Sequence, residues 1–276
     1  MNKIMALPLA EKLTQLFTLA DEENFDNFSF TFLEETISVF HLKQDFIPQQ
    51  IQKHRSFYEA EFLQTLSFFW DRKGLVFDIG ANIGNHSLWF SKIMGARVWA
   101  FEPVEVNALI HCVNMEMNHV KDSVRLFHIA LDNQEGELAI GMTQQKNMGT
   151  WSIHGGDEDN CIKVRVTPLD RLLEQTHPEQ PVSLIKIDVE GMELNVLKGA
   201  CETLQRFQPV LALECATLDE LGELEALIAP WGYFPIEVMN YTPTFIWLNK
   251  YNALHMEKLS EYVRHQTLLK RHTRYA

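Results

Sequence analysis

Residues 75–86 constrain this chain more than any other stretch: Leu-Val-Phe-Asp-Ile-Gly-Ala-Asn-Ile-Gly-Asn-His, an apolar strand that runs into a tight turn and opens a helix. Leu75, Val76, Phe77 and Ile79 form a short, nearly continuous apolar run bounded by Gly74 and Gly80, as expected of a buried parallel strand. Gly80 and Gly84 remove side chains where a ligand or a second backbone must approach closely, and Asn82 tolerates a strained turn between them. From Asn85 to Met94, Leu88, Trp89, Phe90 and Ile93 fall at helical spacing, so the free N–H groups at the helix start would face the turn. Such a terminus favours an electron-rich ligand group.

A dinucleotide site wants G-x-G-x-x-G after its first strand. Here, counting from Gly80, the second and third glycines are replaced by Asn82 and Asn85, which disfavours a nicotinamide-dependent oxidoreductase. The pattern Asp78-x-Gly80-x-Asn82-x-Gly84 instead resembles the first motif of class I S-adenosylmethionine-dependent methyltransferases. On this segment alone, an ordinary strand-to-helix turn without a ligand stays open.

The 276 residues hold one large α/β domain plus an accessory element. A formal net charge of −13 argues against general nucleic-acid binding, which needs basic side chains to neutralise phosphates. No apolar run approaches the roughly 20 residues of a membrane span, and Met1–Ala10 lacks a signal-peptide core, so a cytoplasmic location is expected. Cys112, Cys161, Cys201 and Cys215 lack metal-ligand spacing and are expected to be reduced.

Residues 1–73 read as an accessory region, 74–250 as the ligand-binding domain and 251–276 as a basic carboxyl-terminal helix or tail, a solvated element by default and a possible homodimer contact. Leu9, Leu13, Leu16 and Phe17 make a helical stripe, and the alternation of Phe28, Phe30 and Phe32 with Ile37 and Val39 predicts a hairpin. Pro48 could start a helix reaching about Trp70, with Tyr58 and Glu59 in its middle and placed to cover a ligand. Ala96–Phe101 reads as a second strand ending at Glu102-Pro103. Glu102 lies about 22 residues beyond Gly80, close to where a nucleotide-binding fold presents an acid to the ribose hydroxyls.

Val104–Met117 reads as a helix and Val124–Ile129 as a third strand, after which Ala130 and Leu131 are candidates for apolar walls of an adenine pocket. Leu138–Met142 and Cys161–Val166 read as a hairpin around a long polar loop, in which Trp151 either plugs the site or anchors the loop. Ser183–Gly191 is the second informative stretch, a buried strand ending in Asp188 and Glu190 and followed by a helix with Leu194, Leu197, Ala200 and Leu204 inward. An open α/β sheet places ligand-facing groups at the carboxyl ends of its strands, where Lys186 and Asp188 would share a face. Val210–Glu214 ends in one more carboxylate. Asp188, Glu190 and Glu214 permit a metal-assisted variant, but no spacing demands it and no metal is assigned.

Three stretches together resemble the FkbM-type methyltransferase family: Val76–His86, then Phe101-Glu102-Pro103, then Ile185-Lys186-Ile187-Asp188-Val189-Glu190-Gly191-Met192-Glu193 with Leu197-Lys198-Gly199-Ala200. The third is the most specific. The resemblance implies a Rossmann-like sheet of seven mostly parallel strands with helices on both faces, S-adenosylmethionine as methyl donor, and O-methylation of a sugar, glycan or natural-product hydroxyl. On this reading Asp78, Gly80, Asn82, Gly84, Asn85, Glu102, Ala130, Leu131, Asp188, Tyr58 and Glu59 contact the cofactor. Asp188 or Glu190 is the base that takes the acceptor proton, with His86 as runner-up. The rival from another class is a non-catalytic nucleotide-type binding or scaffold module on the same fold.

Overall fold

In the computed structural model, which describes residues 3–142, 151–152 and 161–273, the chain opens with helices α1 (Lys3–Ala6) and α2 (Leu9–Leu19). The expected hairpin follows as β1 (Phe25–Phe32) and β2 (Glu35–Leu42), antiparallel with Phe30 opposite Ile37 and Phe28 opposite Val39. Phe30, Ile37 and Val39 are buried, which fixes the register because a one-residue slip would turn them to solvent.

The single helix expected from Pro48 to Trp70 is two helices, α3 (Phe46–His54) and α4 (Ala60–Phe69). Arg55 and Glu59 take left-handed backbone conformations (φ 49° and 60°), and the break drops Phe57 into an aromatic cluster, edge-on to Phe30, Phe32 and Trp89. Tertiary packing of one ring thus overrides a continuous helical pattern. Tyr58 and Glu59 lie in the resulting elbow rather than in mid-helix.

The cradle strand is β3 (Leu75–Ile79), all five residues buried. Helix α5 (Asn85–Leu88) leaves the turn and widens into a π-helical turn over Trp89–Ile93. Next come β4 (Val98–Phe101), α6 (Glu105–Met117) and β5 (Val124–Phe127). Asn114 of α6 and Asn118, which caps its carboxyl end, each donate to and accept from the backbone of β2, at Phe40 and Ser38 respectively. These amides pair the exposed edge of the hairpin and bind the amino-terminal region to the helical layer.

After β5 the chain builds a small four-stranded sheet from β6 (Ala130–Leu131), β7 (Gly136–Met142), β8 (Trp151–Ser152) and β9 (Cys161–Thr167), in the order β6-β9-β7-β8. β7 and β9 form the expected hairpin. The polar loop lies outside the described residues apart from Trp151 and Ser152, whose backbone pairs with β7.

Helix α7 (Leu169–Thr176) leads into β10 (Val182–Ile187). The helix expected after it is divided into α8 (Glu193–Lys198) and α9 (Cys201–Phe207). A Cβ on Gly199 would stand 2.2 Å from the Asp132 carbonyl oxygen, so the chain needs glycine there. The Asp170 carboxylate accepts from the Glu202 and Thr203 N–H groups and caps the new helix start. β11 (Val210–Glu214), α10 (Leu218–Ile228), β12 (Tyr233–Met239), β13 (Thr244–Asn249) and α11 (Ala253–Thr273) complete the chain. Lys258 of α11 donates to the Phe68 and Trp70 carbonyls at the end of α4, so this helix is tied to the body.

The central sheet runs β12-β13-β11-β10-β3-β4-β5, with β13 antiparallel to both neighbours and the other strands parallel to one another. Separate apolar cores fill its two faces, one holding Val76, Ala100 and Ala212, the other Phe77, Phe101 and Leu213. β3 and β10 are neighbours in space but far apart in sequence. Chain order reverses between them, and a crevice forms there outside the strand ends. Among the described residues no helix is long and apolar enough to cross a membrane.

Candidate functional site

A cavity of about 590 Å³ occupies that crevice. Its floor is the β3 turn. Gly80 has φ 77°, and a Cβ there would meet the Asp188 carbonyl oxygen at 1.8 Å, so glycine lets the ends of β3 and β10 close on each other. Gly80 and Ala81 both donate to the Phe101 carbonyl, which draws the end of β4 into the same floor. Asn82 stands in the left-handed region (φ 48°), and its Oδ1 is buried without a hydrogen-bond partner among the described residues.

Glu102 forms one wall. Its carboxylate accepts from the Asn82 N–H and the Val104 N–H, each at 2.8 Å, leaving further lone pairs on both oxygens. Burial pushes its carboxyl up to about 7 against the pull of those two donors. Ala130 and Leu131 line the cavity beyond it, together with Ile129 and Ile140.

Two residues of the expected set stand behind the wall instead of on it. Asp78 has no exposed surface. It accepts from the Ser87 hydroxyl at 2.6 Å and lies 3.4 Å from the Lys186 ammonium, so its charge is spent inside the fold. Gly84, at φ 94°, faces α6, where a Cβ would meet Met115 and His111. Its small size serves helix packing, while Asn85 and His86 reach the cavity.

The opposite wall carries the charge. Lys186 is buried and donates to the Gly80 carbonyl at 2.9 Å while standing 3.4 Å from both Asp78 and Asp188. Burial alone would depress this ammonium, but the charges of Asp188 and Asp78 together outweigh it and hold it above the usual lysine range. Asp188 responds in kind. Burial would raise its carboxyl, yet Lys186 and a hydrogen bond from Glu214 hold it low. Glu214 goes the other way, far above the usual glutamate range, through burial and then the negative charge of Asp188. Glu190, whose residue surface is exposed at the rim of the cluster, is pushed up to about 7 by partial loss of solvent around its carboxyl and then by Asp188.

Local backbone explains this crowding. Glu190 and Gly191 are both left-handed (φ 54° and 98°), and the Glu193 carboxylate accepts from the Val189 and Gly191 N–H groups, locking the turn. A non-glycine residue held in that region costs of order 1–3 kcal/mol. Carboxylate oxygens of Asp188, Glu190 and Glu214 come within 4.8 Å of one another, close enough for one divalent ion to bridge, but the Lys186 ammonium already neutralises this side of the cluster. We assign no metal to it.

The elbow between α3 and α4 forms the roof. Tyr58 N–H donates to Asn85 Oδ1 and Asn85 Nδ2 donates to the Tyr58 carbonyl, while Glu59 Oε2 lies 3.3 Å from His86 Nε2. Phe46, Ile47, Tyr241 and Thr242 also line the cavity and were not singled out in the sequence. Tyr241, fully exposed on the β12–β13 turn, is an aromatic in a short polar connection.

Strand order with a single reversed strand, a Gly-Asn turn opening a helix and an acid at the end of the second strand define a Rossmann-like fold. The family model agrees: the methyltransferase FkbM domain matches residues 78–237, and the chain belongs to that family. It is 28% identical to "Methyltransferase 1" of Beauveria bassiana, over 45% of this chain and 57% of that protein. It is also 28% identical to the hexuronic acid methyltransferase AglP of Haloferax volcanii, over 48% of this chain and 52% of that protein. The chain thus spans little more than half the length of these curated relatives. A solved FkbM methyltransferase from Methylobacillus flagellatus KT overlays with a TM-score of 0.47 at 18% identity, covering 69% of this chain and 50% of that one.

Proposed function

We propose that this methyltransferase takes its methyl group from S-adenosylmethionine and places it on a hydroxyl oxygen of a sugar, glycan or related small molecule. The observation that carries the reading is the shared cavity, in which the Asn82–Glu102 wall and the Asp188–Glu190 edge face one space. Family membership and the name of the hexuronic acid relative support it.

The residues fit the donor on grounds of this structure. The spare lone pairs of Glu102 suit a ribose diol, the unpartnered Asn82 Oδ1 offers one more acceptor, and Ala130 and Leu131 offer flat apolar walls for adenine. Of the lysines and arginines, Lys186 alone is among the described lining residues, against Glu59, Glu102, Asp188, Glu190 and Glu214, a balance suited to a cationic ligand. When bound, the donor supplies an electrophilic methyl carbon on a sulfonium.

The chain's own task is alignment and proton removal. Asp188, held anionic by Lys186, fixes negative charge at the strand end. Glu190 is the better base of the two, because a group titrating near neutral pH combines a useful ionised fraction with enough basicity to take a hydroxyl proton. His86 and Glu59 border the roof side, where an acceptor would enter. The acid balance also favours a small-molecule acceptor over nucleic acid.

Calorimetry with S-adenosylmethionine and S-adenosylhomocysteine tests the donor, and the absence of binding to both would overturn the reading. Labelled donor incubated with host extract then identifies the acceptor through the labelled product.

A further inference from the structure

The mechanism above uses Asp188 and Glu190 and leaves a third carboxyl, Glu214, unexplained. Glu214 stands at the carboxyl end of β11, next to β10, so the sheet itself delivers its side chain to Asp188. The carboxyl oxygens of the two come within 4.8 Å of each other, with Glu190 completing the group. Carboxyls this close are joined by a hydrogen bond only when one of them holds a proton, since two carboxylates offer only acceptors. The neighbours decide which one holds it. Lys186 lies 3.4 Å from Asp188 Oδ2 and binds the floor of the site through the Gly80 carbonyl, so the positive charge is on the Asp188 side. The groups around Glu214 are of its own sign or neutral: Glu190 and Glu193 from the turn after β10, and Tyr58 from the α3–α4 elbow. Glu59 and His86 form their own pair on the roof.

We propose that Glu214 is a positioning residue that stays a neutral carboxylic acid at neutral pH and donates its proton to Asp188, clamping the Asp188 carboxylate between this hydroxyl and the Lys186 ammonium. The inference rests on the methyl-transfer reading only for its purpose. The clamp fixes the orientation of the one permanent anion at the strand end, and it keeps a further negative charge out of a cavity where Glu190 must be able to ionise. Like charges held this close cannot all ionise together. Burial, with the charge of Asp188 added, pushes Glu214 in the same direction. No net proton leaves Glu214 in the reaction: the acceptor's proton goes to Glu190 as the new O–C bond forms and the S–C bond breaks, and the donor's sulfur departs as a neutral thioether.

Infrared spectroscopy of the full chain tests this without a substrate. At pH about 8.5, above the value near 7 at which Glu102, Glu190 and Glu193 titrate, one buried protonated-carboxyl C=O band should persist and shift in deuterated water. Glu214→Gln should remove that band and Glu190→Gln should keep it. Asp188→Asn, which deletes the charge holding the proton in place, should lower the pH at which the band disappears. Because an amide can still donate to Asp188, Glu214→Gln should bind S-adenosylmethionine within about threefold of wild type, whereas Glu214→Ala should bind at least about tenfold more weakly. A wild-type spectrum without the band at that pH, or a band that survives Glu214→Gln, overturns the proposal. So does loss of the band on adding magnesium or calcium, which would make the trio a cation site. A wild-type protein that shows the band but binds no S-adenosylmethionine would instead sink the methyl-transfer reading and leave the clamp standing.

Discussion

Asn85 and Tyr58 exchange two hydrogen bonds across 27 residues of sequence, the amide of one matched to the backbone N–H and carbonyl of the other. This reciprocal pair is the joint between the amino-terminal region and the cradle, because Asn85 is the first residue of α5 and Tyr58 sits in the elbow that roofs the cavity. The region before residue 74 is therefore part of the site's architecture. Two further amides, Asn114 in α6 and Asn118 at its carboxyl end, repeat the device on the hairpin edge.

Asn85→Ala should leave both Tyr58 backbone groups without partners inside the fold, a loss of about 1–3 kcal/mol in denaturant melts. Asn85→Asp keeps the acceptor for the Tyr58 N–H and loses the donor, so it should fall between the two. Both should weaken S-adenosylmethionine binding in calorimetry. Unchanged affinity in Asn85→Ala would mean that the roof is not coupled to the donor site.

Among the described glycines, Gly80 meets the closest obstacle, so Gly80→Ala should be strongly damaging. The added Cβ falls 1.8 Å from the Asp188 carbonyl oxygen, and the left-handed φ of 77° is itself strained for alanine. Since that contact is backbone against backbone, no side-chain rotation relieves it. The ends of β3 and β10 must separate, and Asp188, Lys186 and the turn after them move together. A lowered melting temperature accompanied by loss of donor binding is the expected outcome.

The strands and the acids at their ends were legible because each is a local pattern: a short apolar run that ends in a carboxylate. Glu102 and Asp188 line the cavity for that reason. Asp78 was misplaced because alternation along a strand says which face a side chain takes but not whether that face is sealed. Lys186 and Ser87, from two other elements, enclose it. The break between α3 and α4 was illegible for a related reason. Its apolar pattern reads as one helix, and only the aromatic cluster around Phe57, assembled from the hairpin and the π turn, shows what stops it. Tyr241 reaches the cavity through strand pairing at the far edge of the sheet, a relation that no sequence window contains.

Glu102→Gln should separate donor binding from folding. An amide can accept from only one of the Asn82 and Val104 N–H groups and sets an NH₂ against the other, so S-adenosylmethionine affinity should drop by about 10- to 100-fold. The folding effect has a definite sign. A carboxyl raised from 4.5 to about 7 binds its proton more tightly in the folded state, so its contribution is present at acid pH and lost as pH rises through that window. Glu102→Gln should therefore reduce the fall in stability between pH 4.5 and about 7 without abolishing it, because Glu190 and Glu193 titrate in the same range. Chemical denaturation at several pH values measures the difference.

Glu190→Gln should isolate the chemical step. If Glu190 takes the acceptor proton, it must be ionised, so wild-type turnover should climb as pH rises toward about 7 and level off above it. The amide has no basic lone pair to offer at any pH. Turnover should fall by about 10²- to 10⁴-fold, while donor affinity stays close to wild type because in the proposed mechanism Glu190 serves the acceptor's proton and not the donor. Asp188→Asn should behave differently, because it removes the counter-charge of Lys186 and the acceptor of the Glu214 hydrogen bond, so donor binding and turnover should decline together. The comparison is decisive when each variant's pH–rate profile is measured with the acceptor found by labelling. Should Glu190→Gln keep the acid limb and most of the rate, the base is elsewhere, and His86, 3.3 Å from Glu59, is the next residue to change.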